Sequence, residues 1–160
     1  MPEQRYVVGG SDGWLRVKRE PGGVIVALPE YLRVEVTSSS AGREYFTALE
    51  GPEKNNRFSV KAGNLKNGNP GYRIAATLQF NIAQKKLSYA GRTVSAITEA
   101  RNPVPAGVHP IQIPDFPHDL GMGYLGQTPY AKNWFYLGTG NAVPGNNDRY
   151  LHTGRVSAGC

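Results

Sequence analysis

The chain has 160 residues, 39% of them hydrophobic and 19% charged, with a formal net charge of +6. That balance excludes a disordered or collagen-like chain and fits one ordinary domain or two small ones. No stretch approaches the roughly eighteen continuous apolar residues of a membrane helix, so no transmembrane segment is expected.

The 20 glycines and 12 prolines break the apolar runs into short pieces, which favours strands and turns over long helices. No apolar h-region follows Met1-Pro2-Glu3-Gln4-Arg5, so no signal peptide is expected. Residues 6–8 and 14–18 read as strands on either side of a glycine-rich loop. Residues 24–28, 32–37, 44–49 and 57–61 continue the series. In the second of these, Leu32, Val34 and Val36 alternate with Arg33, Glu35 and Thr37, as in a half-buried strand. Residues 1–70 are therefore predicted to form a small all-β domain, a barrel or sandwich, with no role assigned. Residues 64–71, rich in turn formers, mark the boundary.

Residues 71–160 read as a second β-rich domain. Tyr130, Lys132, Trp134 and Tyr136 alternate as on a strand with one face in the core. That reading is preferred to a stacking platform for nucleic-acid bases, and no nucleic acid is expected as partner. Gly121-Met122-Gly123 and Gly138-Thr139-Gly140 are too short for phosphate-binding loops and read as turns. His109, His118 and His152 lack an i, i+4 pairing and have one cysteine between them, so neither a metal nor a cofactor is expected. His109 reads as structural. His118 lies in the polar loop 114–121, which is placed over the site as a substrate contact.

The last nine residues carry the chemistry: His152-Thr153-Gly154-Arg155-Val156-Ser157-Ala158-Gly159-Cys160. A thiol attacks only as thiolate, and a nearby imidazole can take its proton. Backbone N–H groups in a Ser-x-Gly-Cys turn can stabilise the oxyanion that follows, because glycine allows close approach. Cys160 thus reads as nucleophile and His152 as base. On residue types alone the alternative is a non-catalytic β-rich binding or structural module in which Cys160 is a small buried hydrophobe.

This tail resembles the signature of the L,D-transpeptidase (YkuD-like) family: histidine, glycine, then Ser-x-Gly-Cys at the end of a β-rich domain. Residues 101–113, with Pro105 and Gly107 in register, resemble the family's strand entry, residues 78–82 and 86–89 its opening hairpin, and residues 134–137 and 149–152 the strand pair that delivers the histidine, over about residues 75–160. The chain looks like a divergent, short-loop branch. The family continues beyond the cysteine, so the resemblance implies a catalytic domain incomplete at its C-terminus. It also implies peptidoglycan chemistry. Cys160 would attack a stem tetrapeptide with His152 as base, Gly159 and Cys160 N–H groups as oxyanion donors, and Ser157 orienting the turn. Tyr130, Trp134 and Tyr150 would line the cleft with His118. The site of action would be the periplasm or cell wall. Without a visible signal peptide, delivery by a specialised secretion system, as an antibacterial effector, is the expectation.

Overall fold

The structure is a computed structural model and describes residues 2–71, 75–138 and 149–154. Of the predicted site residues, Ser157, Gly159 and Cys160 lie outside the described residues, as do Thr139 and Gly140 of one predicted turn.

The protein is mainly β, with antiparallel sheets. Seven strands form the largest sheet: β1 (Glu3–Val7), β2 (Trp14–Glu20), β3 (Ile25–Pro29), β4 (Arg33–Ser40), β5 (Arg43–Ala48), β6 (Arg57–Lys61) and β7 (Leu65–Asn67). Their order is β3-β2-β6-β5-β4-β1-β7, and every neighbouring pair is antiparallel. The two edge strands β3 and β7 do not pair, so the sheet stays open and no closed barrel forms. β7 falls inside the stretch read as a boundary, where its Leu65 is buried beside Val7 across the β1–β7 ladder.

Alternation makes one face of this sheet a core. Val34 pairs with Ala48, Val36 with Phe46 and Phe46 with Phe58, so their side chains stack across three strands on one side. Phe46 and Phe58 approach at 5.7 Å between ring centres. The buried cluster draws on residues 7–65, with Val26 and Ile113 packed against it. Charge also enters this face, because Arg5 shares it with Val7 and Glu44 with Phe46. The two form an ion pair, and Glu3 holds the other guanidinium nitrogen at 2.7 Å. On the opposite face buried Ser59 donates to Glu20 at 2.7 Å and accepts from Arg43 at 2.9 Å. These pairings satisfy groups that would otherwise be costly to bury.

The β4–β5 connection is the two-residue turn Ala41-Gly42, with φ of 48° and 72°. Positive φ at both central positions matches the right-handed strand twist. The same device, Ala90-Gly91 with φ of 48° and 79°, joins β9 (Lys86–Tyr89) to β10 (Arg92–Ser95). With β8 (Gln79–Asn81) these form a three-stranded sheet in the order β10-β9-β8. The predicted hairpin is present as β8 and β9, and β10 extends it. Phe80, Leu87 and Val94 are direct cross-strand partners and share one face, yet no residue of these strands is fully buried.

The strand predicted to start within 101–113 does not form. Pro103, Pro105 and Pro110 remove three ladder donors from that run. One bond survives, from Gln112 N–H to the Tyr136 carbonyl at 2.9 Å. The alternation from Tyr130 to Tyr136 is likewise not a continuous strand: Pro129–Lys132 is a turn, and only β11 (Phe135–Tyr136) is extended in a ladder. It pairs antiparallel with β12 (Tyr150–Leu151), Phe135 opposite Leu151 and Tyr136 opposite Tyr150. A short 3-10 helix covers Asp119–Tyr124. Among the described residues no helix is long and apolar enough to cross a membrane.

Candidate functional site

The loop from Pro114 to Gly121 is fastened to the segment that precedes β11. His118 N–H donates to the Lys132 carbonyl at 3.1 Å, and the Lys132 ammonium reaches Asp119 at 3.2 Å. Gly121 is buried at this contact, where a Cβ would lie 2.1 Å from the Ala131 carbonyl oxygen. Only glycine permits backbones this close. The approach brings His118 onto Trp134.

Trp134 carries an imidazole on each face. The His118 ring lies 4.5 Å from it with planes 3° apart, and the His152 ring 4.1 Å away at 15°. Two parallel rings this near one centre cannot share a face, so they sandwich the indole. Phe116 stacks in turn on His118 at 4.4 Å and 21°, giving a column Phe116–His118–Trp134–His152. Tyr150 meets it edge-on, 4.9 Å from His118 and 5.8 Å from Trp134. Edge-to-face and offset-parallel contacts of this kind add about 0.5–1.5 kcal/mol each beyond area burial.

Hydrogen bonds set the two imidazoles differently. His118 Nε2 lies 3.0 Å from Asp115 Oδ1, and that carboxylate oxygen also accepts the Phe116 N–H at 2.8 Å. His152 Nδ1 lies 3.0 Å from the Thr153 carbonyl oxygen. A carbonyl only accepts, so Nδ1 carries a proton, and in the neutral ring the lone pair is then on Nε2. That is the tautomer a general base working through Nε2 requires.

The structure therefore gathers His118, Trp134, Tyr150 and His152 of the predicted residues. Tyr130 is not among them. It is 39% exposed, with its hydroxyl 3.4 Å from that of Tyr31. The Tyr31 hydrogen bond, with desolvation and Glu30, raises its pKa above the ordinary 10.0. Two participants were not foreseen: Asp115 and Phe116. Asp115 and His118 had a legible signal in their i, i+3 spacing.

A groove of about 860 Å³ runs beside the column, between residues 75–82 and 104–111, and reaches Tyr150 and Leu151. Its walls include Phe80, Leu87, Val104, Val108 and Ile111, with His109 among them. His109 Nε2 donates to the Pro105 carbonyl at 2.7 Å and closes the turn between them. Comparisons with protein-family models, curated proteins and solved structures return no match to this chain. Among the described residues no three His, Cys, Asp or Glu side chains converge as a metal site would need.

Proposed function

We propose that the protein is a cysteine acyltransferase of bacterial peptidoglycan, acting on stem tetrapeptides through a Cys160 thioester. The observation that supports this reading is the setting of His152: its ring stacks on Trp134 and its Nδ1 proton meets the Thr153 carbonyl, so that in the neutral ring the lone pair is on Nε2. Five to eight positions further along the sequence stand Ser157, Ala158, Gly159 and Cys160.

In this reading His152 Nε2 takes the Cys160 thiol proton, and the sulfur attacks the carbonyl of the third stem residue, diaminopimelate. The oxyanion accepts bonds from the N–H groups of Gly159 and Cys160, each worth about 2.7–4 kcal/mol, while Ser157 orients the turn. The C–N bond to the terminal D-alanine breaks as the imidazolium returns its proton to the leaving amine. An amine of a second stem, a free D-amino acid or water then attacks the thioester, giving a cross-link, an exchanged residue or a tripeptide. Room for the stem comes from the groove that Tyr150 borders, with His118 beside it. The net charge of +6 suits an anionic wall, and the periplasm or cell wall is the proposed place of action.

The test is incubation with purified disaccharide-tetrapeptide and a free D-amino acid, beside Cys160→Ala, followed by mass spectrometry. Cysteine-dependent loss or exchange of the terminal D-alanine is the expected result. A second reading, a non-catalytic binding module, is favoured by the apolar walls of the groove and by Val94 and Ile97, which are more than half exposed. It predicts that Cys160 reacts with iodoacetamide no faster than free cysteine.

A further inference from the structure

The indole of Trp134 is 7% exposed and both its faces are covered, which leaves no face for a substrate to stack on. Its Nε1 meets no acceptor among the described residues. The ring is therefore held by its neighbours' faces rather than by a hydrogen bond. On one side the neighbour is itself fixed, because His118 is anchored at the ring by Asp115 and at the backbone by Lys132. Beside His152 the chain has a glycine that leaves the ring its room: a Cβ built on Gly154 would lie 3.3 Å from its Cε1 and 3.4 Å from its Nδ1.

We infer that Trp134 is a positioning residue, which with the Asp115–His118 pair behind it fixes the ring plane and tautomer of His152 in the room that Gly154 leaves. This rests on the reading of His152 as the general base. The physical case is that an imidazole hydrogen-bonded at Nδ1 alone still turns about χ2. A flat π surface 4.1 Å away removes that freedom, and Gly154 admits the ring where any larger residue would press on it. Trp134 then acts on the reaction through His152, without touching the substrate.

The experiment is 15N-histidine NMR of the full chain together with transfer kinetics on disaccharide-tetrapeptide, for the wild type, Trp134→Leu and Gly154→Ala. In the wild type, His152 is expected as the Nδ1–H tautomer, with ring protons shifted upfield by the indole ring current. In Trp134→Leu the upfield shift disappears and both tautomers are populated. Transfer falls about 10²-fold in kcat, the scale of an ångström-level misplacement, with KM little changed. If that variant fails to fold, Gly154→Ala presses on the same ring from Gly154 and is expected to move the His152 resonances alone. Unchanged tautomer and ring shifts in a folded variant overturn the inference. Should every protein, wild type included, lack turnover, the acyl-transfer reading fails while the NMR result still decides the positioning role.

Discussion

In the proposed reaction His152 is the base, and its Nδ1 contact to Thr153 is local while its ring plane is not. Substituting His152 by alanine removes the base without opening the main core, which lies in residues 7–65 and Ile113. Transfer from tetrapeptide is expected to drop about 10²–10⁴-fold, with an unchanged far-UV spectrum, when rates are followed by mass spectrometry. Asp12 offers an independent test of electrostatics. The Arg16 guanidinium hydrogen bond holds its carboxyl below the ordinary 3.8, against desolvation that pushes it up. The folded pKa is thus depressed. The contribution is present above 3.8 and lost as the pH falls through the folded value. Arg16 is 48% exposed, so solvent screens the pair, and Asp12→Asn is expected to cost under about 1 kcal/mol at neutral pH. Urea unfolding of both proteins across the acid range should show their stabilities converging as Asp12 is protonated.

Strands β1 to β6 were legible as short apolar-rich runs between turn formers, and in β4 and β6 apolar and polar residues also alternate, a period of two that survives any tertiary context that buries one face. β7 was hidden by brevity, since Leu65 is its one apolar residue. β10 was hidden because Ala90-Gly91 is not among the pairs that announce a two-residue hairpin, alanine being a poor occupant of left-handed backbone. The same strain sits at Ala41, with φ of 48°. Ala41→Asn relieves it at no cost in contacts and is expected to stabilise the protein by about 1 kcal/mol in urea titrations. Between elements the contrast is larger. β4 to β6 stack Val36, Phe46 and Phe58 in the core, whereas β8 to β10 bury no residue fully. Native-state hydrogen exchange is expected to release amides of β8 to β10 well before those of β4 to β6.

Across the whole molecule, Ile113 joins the segment leading to Asp115 to the large sheet. It packs against the core cluster and lies 3.3 Å from where a Cβ on Gly51 would be. Because Ile113 remains partly exposed, Ile113→Ala is expected to cost about 1 kcal/mol in thermal unfolding. A loss of the His118 and His152 ring-current shifts in that variant would show that the large sheet supports the aromatic column. The sequence by itself determined the β class, six strands of the large sheet, and the candidate nucleophile and base, because alternation and reactive side chains are local properties. The strand that the resemblance implied within 101–113 does not form, because prolines there remove ladder donors. Only the tertiary structure decided that Asp115, His118, Trp134 and His152 converge and that Tyr130 stands apart. That convergence depends on the bond from His118 N–H to the Lys132 carbonyl and on a glycine at 121 too close to backbone for any side chain. Neither leaves a periodic trace along the chain.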